Sequence, residues 1–263
     1  MIHIAIISHG HEELLISSNL GGLLDAGSQF AIWVKDNKPS ESLKTFCLSH
    51  DVFYTDEQPG LGFGHNNNFL HERIEKQHGF AQGDSFVVMN PDITVMPDII
   101  LQLVAQMRKD HYPVATLNLY RDVNFSEVDT NIRRFPDWTS IGKMIVARSV
   151  SGTYKKHHIT RPCHVDWASG AFLVFDSGHY AALRGFEQSY FMYFEDVDLC
   201  YRSHLLLGQG VRYYPYLKAI HKAARRNRNL ASKHALWFIH SFLKFLARRY
   251  FIYGQVTQNS SEK

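Results

Sequence analysis

Apolar positions in the first 110 residues come as short unbroken runs separated by amphipathic stretches. Ile2 to Ile7, Phe30 to Val34, Val52 to Tyr54 and Ser85 to Met89 are such runs. Near-continuous apolar runs of this length fit strands of a parallel sheet covered on both faces. Between them, Glu12 to Leu24, Ser40 to Ser49, a stretch from the glycine-rich turn Pro59–Gly64 to about His78, and Met96 to about Lys109 carry helical spacing. Pro97 stands in the first turn of the last one, where its missing N–H costs nothing. Strands alternating with helices predict an α/β sheet with helices on both faces. No internal repeat is visible.

Beyond residue 110 the pattern loosens. Val114 to Tyr120 reads as a strand, 121–136 as a polar loop, 137–150 as a helix and 153–162 as a basic, mobile connection. Val165 to Phe175 is a polar, small-residue turn entering a strand. Phe191 to Arg202 opens a helix with three acids, Glu195, Asp196 and Asp198, in its first turn, where the positive end of the helix dipole favours them. Val211 to Pro215 predicts a short strand and Ala219 to His221 a strand end. Leu230 to Ile252 reads as one helix. Its stripe is Leu236, Ile239, Leu243, Leu246 and Tyr250, widened by Phe238, Phe242 and Phe245. His240, Lys244 and Arg248 take the other side, where Trp237 and Phe251 intrude. Such a helix fits a membrane interface; it equally fits packing on the domain. The expected organisation is a domain over 1–222, a basic amphipathic membrane-associating helix over 223–254 and a disordered polar tail over 255–263.

Composition adds little to this picture. The 263 residues carry a net charge of only +3. The basic residues form no broad face, so nucleic acid is not an expected partner. Cys47, Cys163 and Cys200 are too scattered for a zinc or disulfide framework and suit a reducing compartment. The first residues lack a basic flank and a cleavage site, and no apolar run reaches bilayer length.

The candidate chemistry lies at predicted strand ends. Open α/β sheets bind ligands outside the carboxyl ends of their strands, and Ser8-His9-Gly10, Asp36-Asn37, Asn90-Pro91-Asp92 and His221 fall there. Asp166 to Gly170 precedes a strand, so the fold must place it. Asp36 suits a nucleobase N–H, or a helix cap. Asp92 with His221 suits a divalent cation, Mg or Mn, with phosphate oxygens completing its shell; alone, Asn-Pro-Asp is a common turn. Asp198 and Arg202 are spaced to pair. That leaves Asp196, about 200° away around the helix, free to act as a base, although these residues also fit a solvated helix start. Gly60, Gly62 and Gly64 follow the third strand and lack dinucleotide-fingerprint spacing. A nucleotidyltransferase would want a Lys or Arg in the loop after the first strand, and Ser8-His-Gly-His11 has none. A non-catalytic sugar-nucleotide-binding module is the remaining rival.

The ordered set Asp36-Asn37, Gly62-Phe-Gly-His-Asn-Asn67, Asn90-Pro91-Asp92, Trp167-Ala-Ser-Gly-Ala171, Phe191-Met-Tyr-Phe-Glu-Asp-Val-Asp-Leu199 and His221 resembles the family 2 inverting glycosyltransferases of GT-A fold, in particular WbbL-type rhamnosyltransferases. The resemblance covers residues 1 to about 250. It implies a GT-A-like open mixed sheet with a Rossmann-like N-terminal half. It implies a nucleotide-sugar donor, dTDP-L-rhamnose or else another sugar, UDP- or GDP-linked, and a polyprenyl-diphosphate-linked N-acetylglucosamine acceptor at the cytoplasmic face of the membrane, within O-antigen or cell-surface polysaccharide assembly. By matched position, Asp196 is the catalytic base. Ser8, Asp36, Asn67, Asn90 and Asp92 hold the donor, and Asp92 and His221 hold the metal. Trp167, Ser169, Gly170 and Glu195 line the acceptor side. Asn90 replaces the first carboxylate of the usual D-x-D, which leaves one charge fewer for the metal. Arg225, Arg226 and Arg228 would meet the acceptor diphosphate or lipid head groups.

Overall fold

The computed structural model describes residues 1–24, 27–142, 151–222 and 233–254. One mixed nine-stranded sheet forms the frame. Its path runs β3 (Phe53–Thr55), β2 (Phe30–Asp36), β1 (Ile2–Ser8), β4 (Ser85–Met89), β10 (Phe172–Asp176), β6 (Val114–Tyr120), β11 (Val211–His221) and β5 (Ile93–Thr94), with β8 (Cys163–Val165) pairing β11. The first four are parallel, as the apolar runs predict. β10 enters antiparallel to β4 and β6, and β11 returns parallel to β6. A separate pair, β7 (Ile132–Arg133) with β9 (Trp167–Ala168), lies off the sheet.

Alternate side chains feed two cores. Ile4, Ile6, Val87 and Met89 join Leu43, Ile100 and Leu103 on one face. Ala5, Phe86 and Val88 join Leu70, Ile74, Tyr180, Leu199 and Phe245 on the other. Period-two alternation thus supplies both faces from the same strands. Helices Glu41–Ser49 and Pro97–Lys109 cover the first face. Helices Phe63–Gln77, Ser177–Ala182, Glu195–Leu207 and Lys233–Ala247 cover the second.

Four expectations change. The stretch over 12–24 is helical but irregular: Glu12–Leu14 runs into a π-helical turn, Leu15–Asn19, and then Gly21–Leu24, with Leu15 and Leu20 keeping right-handed helical backbone at the junctions; Ser17, Ser18, Asn19 and the Gly21-Gly22 pair are poor helix formers. The two strands expected around Pro215 are one. β11 runs through it with a register shift between Tyr214 and Lys218, a bulge being where a strand tolerates proline. The stretch 153–162 is tied down rather than loose. Lys156 is buried and donates to the side-chain oxygens of Asn118 and Asn131, and Tyr154 donates to Asp166; a buried ammonium is tolerable only with such partners. Of the helix expected over 137–150, residues 143–150 lie outside the described residues, as do 223–232 and 255–263.

The fourth change concerns the C-terminal helix. Phe242, Phe245 and Leu246 are buried, while Leu236, Ile239 and Leu243 of the expected stripe face outward, as do Phe251 and Ile252 beyond the helix. Lys244 donates to Ser189 O, and Arg248 pairs with Glu187 and Asp198. The phenylalanines face inward because Phe194 and Tyr201 offer them rings at 5.3–5.9 Å. Among the described residues no helix is long and apolar enough to cross a membrane.

Candidate active site

The sheet order reverses between β1 and β4, and the polar strand ends converge there. Ser8 lies in register with Asp36, and Asn37 N donates to Ser8 O. Asn90 follows β4 directly; its N–H donates to Ala171 O, which draws the loop before β10 beside the end of β4. Gly170 N donates to Asp196 Oδ2 at 3.0 Å. Lys222 N donates to Asp92 O, and His221 Nε2 comes within 3.4 Å of Asp92 Oδ1. Short contacts thus link 8 with 36–37, 90 and 196 through 170–171, and 92 with 221–222, while the pairing of β1 with β4 sets the first two groups on neighbouring strands.

Two glycines permit this approach. A Cβ on Gly62 would stand 2.1 Å from Phe191 O, and one on Gly170 would stand 2.8 Å from Cε1 of Phe63. The glycine-rich turn thus lets helix Phe63–Gln77 start against the aromatic-acidic segment. The acidic helix itself begins after two residues in the left-handed region, Tyr193 (φ 70°) and Phe194 (φ 66°). That conformation disfavours side chains with a Cβ and costs about 1–2 kcal/mol each, so packing must hold it.

The ends of β1 and β2 and the start of helix Phe63–Gln77 carry buried polar atoms without protein partners. They are Ser8 Oγ, Asp36 Oδ1, Asn66 Oδ1 and Asn67 Oδ1. Asp36 uses its other oxygen for Ser40 N (2.9 Å) and Tyr54 OH (3.3 Å). Asn67 donates to Phe63 O. Leaving such groups unmatched costs about 1–3 kcal/mol each, so this end is shaped for a polar ligand.

On the opposite side, Trp167 is buried and donates to Arg134 O at 2.9 Å, with the Arg133 guanidinium 5.9 Å from its ring centre. Ser169 N donates to Asn131 O. Glu195 is buried with Oε2 unpartnered; burial, then the neighbouring Asp196 charge, pushes its carboxyl up. Asp196 stays partly exposed, and surrounding protein pushes its carboxyl up too, against the N–H groups of Gly170 and Val197 and the charge of Arg133.

Asp92 and His221 form the candidate cation site. Asp92 Oδ1 is buried and makes no hydrogen bond, and a carboxylate beside an imidazole suits Mg or Mn. Among the described residues no group of three or more His, Cys, Asp or Glu is arranged to hold a metal ion. Two donors fit only if a ligand's phosphate oxygens complete the shell. His221 Nδ1 also meets Asp129 Oδ2 at 2.5 Å. Burial would lower the His221 pKa, but the hydrogen bond to Asp129 and the charges of Asp92 and Asp129 raise it to about 9. The sequence reading missed Asp129, Tyr54 and Arg133, since nothing in their local spacing points to a site. Arg225, Arg226 and Arg228 lie outside the described residues.

No protein-family model matches the chain. It is similar to the rhamnosyltransferase WbbL of Escherichia coli K12, with 33% identity over 249 residues, covering 95% of this chain and 94% of that protein. It is also similar to the low-salt glycan biosynthesis hexosyltransferase Agl10 of Haloferax volcanii, 24% identical over 77% of this chain and 61% of that protein. Of solved structures, GalNAc-T7 with UDP, GalNAc and Mn2+ superposes with a TM-score of 0.66 at 10% identity, covering 94% of this chain. The mannosyltransferase PcManGT from Pyrobaculum calidifontis, with GDP-Man and Mn2+, gives 0.54 at 11% identity over 86% of this chain. The chain spans 47% and 58% of those two structures. At such identities the likeness establishes the fold alone: a GT-A-type mixed sheet flanked by helices.

Proposed function

Because the chain belongs to the family of WbbL-type glycosyltransferases, we propose that it transfers L-rhamnose from dTDP-L-rhamnose to a polyprenyl-diphosphate-linked N-acetylglucosamine, with inversion. The observation that supports this reading is the chain of contacts that links Asp196 through Gly170-Ala171 to Asn90, and Asp92 to His221, near strand ends with unpartnered polar atoms. Asp36 favours a pyrimidine nucleotide. One oxygen is taken by Ser40 and Tyr54, and the other is a single free acceptor. Thymine or uracil presents one N3–H to it, whereas guanine presents two adjacent donors.

Asp196 takes the proton of the acceptor hydroxyl as that oxygen bonds to the anomeric carbon. The bond from that carbon to the diphosphate breaks, and the nucleoside diphosphate leaves with the electron pair. A sugar hydroxyl is too weak an acid to ionise beforehand, so a held carboxylate with raised proton affinity suits the task. Gly170 N–H and Val197 N–H fix that carboxylate's direction. Asp92 and His221 would hold the divalent cation, which supplies charge neutralisation at the leaving diphosphate. Trp167, Ser169, Gly170 and Glu195 frame the acceptor side.

The outward row of Leu236, Ile239 and Leu243, continued by Phe251 and Ile252, supports a role for the C-terminal segment at the inner face of the cell membrane, where the lipid-linked acceptor lies. A donor panel read by thermal shift with Mn tests the reading. dTDP-rhamnose should stabilise most, UDP-sugars less and GDP-sugars not at all, with the shift and the transfer both suppressed by EDTA. Stabilisation by GDP-sugars alone would overturn the donor assignment.

A further inference from the structure

We propose that Asp129 is a positioning residue that fixes the His221 imidazole for cation binding; this rests on the reading of Asp92 and His221 as the metal pair. Asp129 ends a loop that is built independently of any ligand. Its N–H donates to Leu119 O, Arg121 N donates to Glu127 O, and Tyr120 bridges Val128. Within the loop the Asp122 carboxylate accepts backbone N–H groups from Asn124, Ser126 and Glu127 at 2.6–3.2 Å. The loop therefore presents Asp129 at a set place beside the end of β6.

There the residue is 7% exposed. Oδ2 meets His221 Nδ1 at 2.5 Å, and Oδ1 lies 3.9 Å from Arg121 Nη2. The charge of Lys156 also acts on this carboxylate. An imidazole offers two nitrogens, and the partner of one decides what the other can do. Asp129 accepting Nδ1–H leaves Nε2 as the nitrogen turned toward Asp92 Oδ1, 3.4 Å away, where a bound cation would take the place of its proton. Without that acceptor the ring loses both its preferred tautomer and its hold on the angle toward Asp92. Carboxylates that orient a ligating histidine in this way change metal affinity by about 10–100-fold.

The test is a Mn2+ titration of the full chain with dTDP present, followed by electron paramagnetic resonance. Asp129→Ala should weaken Mn2+ binding about 10–100-fold. Asp129→Asn, which keeps an acceptor oxygen without the charge, should lose less. Neither variant should change dTDP affinity measured in EDTA. An unaltered Mn2+ affinity in Asp129→Ala, alongside a weakened His221→Ala, overturns the positioning role. If Asp129→Ala does not fold, Asp129→Asn decides, and wild-type affinity in it overturns the role equally. An equal loss of metal-free dTDP binding marks general damage and also overturns it. Wild-type Mn2+ binding in His221→Ala instead sinks the metal reading on which the proposal rests.

Discussion

Two buried polar regions, one around Asp198 and one at the ends of β1 and β2, differ in how fully their atoms are matched. Around Asp198 everything is paired. Its carboxylate receives Arg202 Nε at 2.7 Å, Tyr253 OH at 2.9 Å, Arg248 Nε at 3.3 Å and Tyr190 OH at 3.5 Å. Arg202 goes on to bond Leu183 O and Gly185 O. At the end of β1 and β2, by contrast, Ser8, Asp36, Asn66 and Asn67 each keep a buried oxygen without a protein partner. Both regions are acidic, buried and assembled from distant residues. The distinction is unused bonding capacity: a saturated acid ties elements together, and an unsaturated one waits for a ligand. Asp196, two positions before Asp198 on the same helix, is held by two backbone N–H groups and stays partly exposed, whereas Asp198 is buried and locked by side chains.

This contrast can be broken experimentally, most sharply at the helix that carries both acids. Asp196→Asn should cut transfer by about 10²–10⁴-fold with an unchanged melting curve; near-normal turnover in a membrane-acceptor assay removes Asp196 as the base. Asp198→Ala should do the reverse. It strands Arg202 and Arg248 beside a buried gap, so denaturant unfolding should show a loss of about 3–5 kcal/mol, whereas a loss under 1 kcal/mol would mean the hub is not holding the helices.

A smaller effect is expected at Asp36→Asn. The amide oxygen must serve Ser40 N and Tyr54 OH, which turns the NH2 toward the nucleobase donor. Calorimetric affinity for dTDP should fall by about 1–3 kcal/mol, with stability little altered; intact affinity would mean the base lies elsewhere. The smallest effect concerns pH. His221 is raised from the ordinary 6.5 to about 9, so its bridging charge stabilises the metal-free fold fully below pH 6.5. That contribution disappears as pH rises through about 9. The melting-temperature gap between wild type and His221→Gln should be widest near pH 6 and close by pH 10. A gap independent of pH would show that the imidazole is neutral in the fold.

The contrast also marks how far the sequence is legible. Apolar runs and helical spacing locate β1, β2, β4 and the helices near 63–77 and 97–109, because each obeys one local period. Strand-end chemistry then locates Asp36, Asn90-Asp92 and His221. Asp198 and Arg202 are legible as a pair because their spacing is a helix turn. Asp129 is not, since a loop has no period and its partner lies 92 residues away. Lys156 looks like one cation of a basic stretch, and only the amides of Asn118 and Asn131 turn it inward. The C-terminal helix carries large apolar side chains beyond its stripe, so the stripe alone does not choose its inner face; the rings of Phe194 and Tyr201 do.

That choice has a consequence for how the enzyme can be dissected. The helix Lys233–Ala247 holds Phe194 among Phe238, Phe242 and Phe245, anchors Met192 O through Ser241 and reaches Ser189 O through Lys244. It is the clamp on the two left-handed residues that aim Asp196. Shortening the polypeptide ahead of Lys233 would release that clamp, and the dead enzyme that results would report on misalignment rather than on lipid. Polar replacements at Leu236, Ile239 and Leu243, on the far side of the same helix, separate the two jobs: vesicle retention should drop while turnover on a detergent-dispersed acceptor persists.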